Sequence, residues 1–364
     1  MARTLLISLV VFALSGCMTM TSQQKPEDVL VGINYFAGWW VPLPNKWHNR
    51  EGVDWRTLAP GRVPVLGEYN TQEVMDREIE AAADHGVDFF QILWYYGEEG
   101  AAREQHALLL NRGVSNFIAS PNADRMRFYI EYCNHPPYLT SSDEWENCIR
   151  WWMPALRHPS YLRVGGRLVL KVHSWHHFYL ECGSDMNACH ARLARLREAV
   201  REAGLGDMVI GCGVANLEAI PAGHPVVGMF DFTCTYMDVP PMETLPTDYP
   251  YEDLTLFIDE GRAIHSSDAI RYLPFLAAGW NPRPWGDPRA CFALPTRPQW
   301  TLELTKMRAD LDRYETFGIP LPGGGRQKAF TIYAWNEFGE GGFVAPTKGE
   351  GYMKLEAIAE VFGR

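Results

Sequence analysis

The sequence predicts a single (β/α)8 barrel. Short apolar runs alternate with amphipathic helical stretches along nearly the whole chain, and eight runs read as strands. Those runs are dense in Val, Ile, Phe and Leu, as expected of parallel strands buried on both faces. No glycine-rich phosphate loop follows the first run, which disfavours an open doubly wound sheet. Strand and helix in repeated alternation build a parallel sheet, and eight repeats close it into a barrel.

The elements follow in order. The first strand is predicted over 29–36. Thr71 offers an N-cap for a helix over 71–85, and Gly86 ends it. The second strand is expected over 87–95, with a helix at about 100–111. The third strand covers 127–132 and its helix 141–156. The fourth covers 168–173, and a helix over about 187–203 closes on Gly204. The fifth and sixth strands are expected over 208–212 and 230–236, then a helix over 254–265. The seventh covers 272–277 with a helix over 300–316, and the eighth 330–335 with a last helix over 354–362. No internal repeat or low-complexity linker appears after residue 28.

The N-terminus is built differently. Arg3 precedes an apolar run of ten residues over 5–14. A spanning helix needs about 20 residues, so the run reads as a secretory signal. Leu14-Ser15-Gly16-Cys17 resembles the bacterial lipobox, in which cleavage leaves a lipidated cysteine. The expected layout is a signal peptide over 1–16, a lipidated tether over 17–28 and one catalytic domain over 29–364. Cys17 would then hold the protein to a membrane, and Met18 beside it favours the outer one.

The chain carries 33 Lys and Arg against 44 Asp and Glu, a net charge of −11. Such a balance suits neither phosphate backbones nor polyanionic glycans, so no nucleic-acid or nucleotide partner is expected. Seven cysteines lie beyond Cys17, an odd number. Cys182 and Cys189 are spaced for a disulfide, whereas Cys212 and Cys234 read as buried thiols.

In a barrel the active site lies at the C-terminal ends of the strands. There the chain places Tyr35, Trp39 and Trp40, then Trp94, Tyr95 and Tyr96, then Glu131, Tyr132 and Asn134. Further round come His173, Tyr236, Trp280, Asn281, Arg283, Trp285, Trp335 and Asn336. Aromatic faces stack on the C–H surfaces of sugars, and carboxylates, amides and imidazoles bond their hydroxyls. The sharpest signal is Trp335-Asn336-Glu337-Phe338-Gly339-Glu340-Gly341-Gly342. On a continuing strand Glu337 and Glu340 would face opposite ways. The glycines permit a turn that brings both to one cavity. Two adjacent carboxylates suit glycoside cleavage, where one protonates the leaving oxygen and the other serves as nucleophile or base. Crowding lets one of them keep its proton.

Other chemistries are less well supplied. His173, His176 and His177 would not converge on a metal from a strand end, and no zinc-like Cys/His spacing occurs, so neither metal nor cofactor is expected. Gly323–Gly325 lacks the Lys-Ser/Thr of a phosphate loop. No Gly-x-Ser-x-Gly elbow is present.

With these motifs the chain resembles the glycoside hydrolase family 99 endo-α-mannosidases and their WbsX-like relatives, over nearly the whole domain. Asn336-Glu337-Phe338-Gly339-Glu340-Gly341 is similar to the family's Asn-Glu-Trp-x-Glu-Gly, with Phe338 in place of tryptophan. Leu66-Gly67-Glu68-Tyr69 resembles its Leu-Gly-x-Tyr segment and adds Glu68 and Tyr69 to the candidate sugar contacts. Gly86-Val87-Asp88 through Trp94-Tyr95-Tyr96-Gly97, Ile130-Glu131-Tyr132 without the family's proline, and a shortened Gly279-Trp280-Asn281-Pro282-Arg283 follow in order. The resemblance implies a retaining α-glycosidase. In it Glu337 would deprotonate the sugar 2-hydroxyl, which attacks the anomeric carbon, and Glu340 would act as general acid, then base. Glu131 would support the sugar cavity. Two other readings stand beside it: a non-catalytic glycan-binding lipoprotein, and a WbsX-like protein associated with glycosyl transfer.

Overall fold

A computed structural model describes residues 29–363 apart from Pro42, Pro44 and residues 98–106. The signal-like segment, the tether with Cys17 and most of the helix expected at 100–111 lie outside the described residues.

Eight strands form one parallel ring. They are β1 (Leu30–Tyr35), β2 (Phe89–Trp94), β3 (Arg127–Tyr132), β4 (Arg167–Val172), β5 (Met208–Gly213), β6 (Phe232–Cys234), β7 and β8 (Ala329–Tyr333). Strand β7 has two halves, Arg271–Leu273 and Phe275–Ala277, on either side of Pro274. Its first half pairs with β6 and its second with β8, while β8 pairs with β1. The barrel closes through that break. Proline has no N–H to give the ladder, and its carbonyl instead accepts from Thr331 N at 2.9 Å.

The helices are α1 (Gln72–Asp84), α2 (Arg112–Ala119), α3 (Trp145–Leu156), α4 (Trp175–Glu181), α5 (Met186–Glu202), α6 (Tyr251–His265), α7 (Arg297–Arg313) and α8 (Met353–Phe362). Thr71 caps α1 by accepting from Val74 N, as its position predicts. Turns rather than a helix join β5 to β6. None of the described helices is long and apolar enough to cross a membrane.

The strands are buried on both faces, and contacts fix which side chains point inward. On β3, Phe128 meets Phe117 of α2 with ring centroids 4.6 Å apart, and the Tyr132 hydroxyl donates to Glu181 of α4 at 2.6 Å. Both face the helices. Tyr129, Glu131 and Cys133 face the axis.

A polar layer crosses the barrel at Glu131. Lys171 Nζ of β4 stands 2.8 Å from Glu131 Oε1. Asn34 of β1 donates to Oε2 at 3.2 Å, and Gln91 of β2 donates to the same oxygen. Glu131 and Lys171 are both 0 % exposed. Burial alone would raise the Glu131 carboxyl, but Lys171 and His173 outweigh it and hold the pKa at about 2.

All seven described cysteines are free and buried. Cys182 and Cys189, spaced for a disulfide, are neighbouring thiols rather than a bridge.

Candidate active site

The cavity lies one layer above the Glu131 network. Asn34, Gln91, Glu131 and Lys171 mark the inward phase of four strands. Two residues further along each strand come Phe36, Leu93, Cys133 and His173, and all four line a cavity of about 350 Å³. Cys234 of β6 leads to Tyr236 by the same step, and Tyr95 follows Leu93. Glu337 and Glu340 complete the wall with Trp40, Lys46, His135 and Tyr138. The volume is at the lower end of the range for small-ligand pockets.

The carboxylate pair sits on a tight hairpin past β8. Asn336–Glu337 pairs antiparallel with Gly342–Phe343, and Glu340 N donates to the Glu337 carbonyl at 3.1 Å. The turn needs its glycines for two reasons. Gly341 has φ +77°, which a side chain disfavours. A Cβ on Gly342 would stand 2.3 Å from the Tyr333 ring. That ring matters because the Tyr333 hydroxyl donates to Glu340 Oε2. Asn281 N donates to the Glu340 carbonyl at 2.6 Å, and buried Arg62 donates to the Asn281 carbonyl at 2.7 Å. The loop after β7 therefore braces the loop after β8.

The two glutamates differ in surroundings. Glu337 is 6 % exposed, whereas Glu340 is half-buried. Burial, then repulsion from Glu340, push Glu337 up to about 8, against a smaller opposing pull from Lys46. The pair thus holds one proton at neutral pH, as like charges at one site require.

His173 joins the cavity to the layer below. Its Nδ1 lies 2.7 Å from Glu131 Oε1, which leaves Nε2 free of that bond. Its ring meets Tyr236 edge-on at 4.8 Å, and Tyr236 meets Tyr333 at 5.2 Å.

Of the residues expected to touch substrate, Trp40, Tyr95, His173 and Tyr236 line this cavity with Glu337 and Glu340. The others do not. Tyr35 and Tyr132 are one residue out of phase, and Tyr35 donates to Glu78 of α1 at 2.7 Å. Trp94 packs against Trp152 of α3 at 5.3 Å, and Trp335 against Phe90 at 5.1 Å. Asn336 spends its amide on Phe36, accepting from N at 2.9 Å and donating to O at 2.7 Å. Asn281 donates to Asp248 at 2.7 Å. Arg283 pairs with Asp248 at 2.8 Å on the surface. Trp280 is buried, with its indole on the Ala290 carbonyl at 3.1 Å. Glu68 and Tyr69 both take the Arg56 guanidinium outside the cavity. Glu131 supports the cavity through His173 rather than lining it.

Sequence reading missed Lys46, His135 and Tyr138, which come from loops with no strand phase to place them. Phe338 faces away from the cavity, stacked on Trp47 at 5.9 Å. Among the described residues no group of three His, Cys, Asp or Glu could hold a metal ion.

The backbone is similar to that of a glycoside hydrolase-like protein, with a TM-score of 0.62 and 16 % identity over 92 % of this chain and 94 % of the other. The chain shares that barrel. It is also similar to the GH99 endo-α-mannosidase of Bacteroides thetaiotaomicron, with a TM-score of 0.56 and 14 % identity over 92 % and 97 % of the two chains. No protein-family model and no curated protein matches the sequence.

Proposed function

We propose that this protein is a glycoside hydrolase whose carboxylate pair is Glu337 and Glu340. The observation that carries the reading is the pair itself: two carboxyls on one hairpin, facing one cavity at the C-terminal mouth of a barrel, with one proton between them. Acid–base cleavage of a glycoside needs one carboxyl protonated and the other ionised. The solved structures that share the barrel include a GH99 endo-α-mannosidase, which supports an α-glycoside as substrate.

The pair allows two tautomers. With the proton on Glu340, that group can protonate the leaving oxygen while Glu337 takes the proton of a sugar hydroxyl. A carboxyl raised to about 8 is suited to act as a base, since general bases work best with a pKa near the working pH. This is the allocation that the resemblance to family 99 implies, and the attacking 2-hydroxyl makes the reaction retaining. In the free protein the proton rests on Glu337, so bound sugar must favour its transfer. Tyr333, donating to Glu340, keeps one oxygen of that carboxyl occupied and leaves the other for the substrate.

Reducing-sugar release from a panel of α-mannans and other α-glycans tests the reading. Glu337→Gln and Glu340→Gln should each lower release by about 10²–10⁴-fold, the usual worth of a general acid or base. Release that survives both substitutions refutes the assignment. Tight binding of one glycan without cleavage would favour the binding-protein alternative. The rate should fall as pH rises through about 8, where the pair loses its shared proton.

A further inference from the structure

Lys46 enters the cavity that Glu337 and Glu340 line, held between two aromatic rings. Its Nζ lies 3.8 Å from the centroid of the Trp285 ring and 4.9 Å from that of Phe36. Among the described residues its ammonium forms no ion pair, and the first cation along the chain to do so is Arg56. Aromatic faces attract a cation but do not neutralise it. The rest of the ammonium is left to whatever fills the cavity.

The position is built, unlike that of a loose surface lysine. Asn45 is buried, and its Oδ1 accepts from Trp47 N at 3.2 Å and bonds His48 Nδ1 at 2.8 Å. The Lys46 carbonyl accepts from the Trp55 indole at 2.6 Å. Trp47 is packed against Trp39, Trp55 and Phe338, with centroids 4.3, 5.1 and 5.9 Å away. Phe338 follows Glu337 directly. Lys46 and the carboxylate pair are thus fixed to one aromatic cluster, and the distance between them is set by packing.

Lysine's ammonium is strongly hydrated in water. Half-buried between rings, it has lost part of that hydration and gains most from a full negative charge. The carboxylate pair keeps one net negative charge and attracts Lys46 across the cavity, but neither carboxyl closes an ion pair with the ammonium, and Glu340 accepts from Tyr333. The net charge of −11 acts against a long polyanion, but screening limits its reach to about 8–10 Å. A single acidic group inside the cavity feels little of that distant field and meets chiefly Lys46 and the one charge of the carboxylate pair.

On the glycosidase reading, we infer that the sugar held beside Glu337 and Glu340 bears one anionic substituent, a carboxylate or a sulfate ester, paired with Lys46. A uronic acid or an O-sulfated sugar is the substrate unit with that chemistry.

The test is binding of matched monosaccharides to the folded domain, followed by calorimetry. The pairs are mannose and mannuronate, glucose and glucuronate, galactose and galacturonate, with the 6-O-sulfated form of each neutral sugar. For at least one parent sugar an anionic form should bind about tenfold more tightly than the neutral one, a preference weakened by salt. Lys46→Met should bring that ratio near one, and Lys46→Arg should keep part of it. The carboxylate and sulfate arms separate the two sources of charge. Neutral sugars binding as well as anionic ones, no anionic sugar binding at all, or a preference that survives Lys46→Met would each overturn the inference. Failure of the enzyme reading looks different: no glycan, acidic or neutral, would be cleaved. A neutral glycan cleaved in a Glu340-dependent way, with no anionic preference, would leave the enzyme and remove the role of Lys46.

Discussion

Glu337 should make stability depend on pH in a particular direction. Its carboxyl is raised from the ordinary 4.5 to about 8 by burial and by Glu340, and Glu78 is raised to about 7, chiefly by burial. The native state therefore keeps protons that the unfolded chain has released. Their contribution is complete below about pH 4.5 and is lost as pH climbs through 7 and 8, at about 1.4 kcal/mol per pH unit for each proton. Glu131 has the opposite sign. Held at about 2, it contributes above the ordinary range and loses that contribution as pH falls toward 2. Thermal unfolding should show Tm declining from pH 5 to pH 8, and Glu337→Gln should flatten the decline. An unchanged slope in that variant would mean Glu337 titrates normally. These inward residues also show how much of the site was legible. Glu337 and Glu340 announce themselves by type and spacing. Tyr35, Tyr132 and Trp94 have the right chemistry but the wrong phase, and a list of strand-end residues cannot see phase. The missed signal lay within the strands. Asn34, Gln91, Glu131 and Lys171 are polar residues in apolar runs, and counting two from each reaches a cavity residue every time.

At the scale of elements, asparagine amides tie the rim together. Asn336 pairs with both backbone groups of Phe36. Asn111 does the same for Tyr95, accepting from N and donating to O, each at 2.8 Å. Asn134 repeats it on Ser174, each bond at 2.9 Å. Each amide acts as a short stretch of neighbouring strand where the ladder has ended. Asn336→Ala should cost about 2–4 kcal/mol, because it strands a buried N–H and a buried C=O. Urea unfolding measures it, and a loss below 1 kcal/mol would show that water replaces the amide. Strand and helix order was legible because each run is apolar and bounded. The break at Pro274 and the turns between β5 and β6 were not, since a barrel tolerates a missing helix that local pattern cannot report.

Across the whole molecule, the Glu131–Lys171 pair is the most exacting feature of the core. Removing one partner leaves a bare charge in the barrel, so Lys171→Met should destabilise by about 3–5 kcal/mol. Adding Glu131→Gln should restore much of that loss, and simple additivity of the two costs in chemical denaturation would show that the charges do not depend on each other. Layers of inward side chains are how such barrels fill, and here consecutive layers have different duties. The lower one is charged, bonded and closed to solvent. The upper one, two residues on, carries Phe36, Leu93, Cys133 and Tyr236, which shape the cavity, and His173, which also bonds Glu131 below. Selection, natural or in the laboratory, can therefore work on the two storeys separately. A library randomised at Phe36, Leu93, Cys133 and Tyr236 should keep most members folded while changing which sugar fits. The same diversity placed at Asn34, Gln91, Glu131 and Lys171 should yield few soluble members.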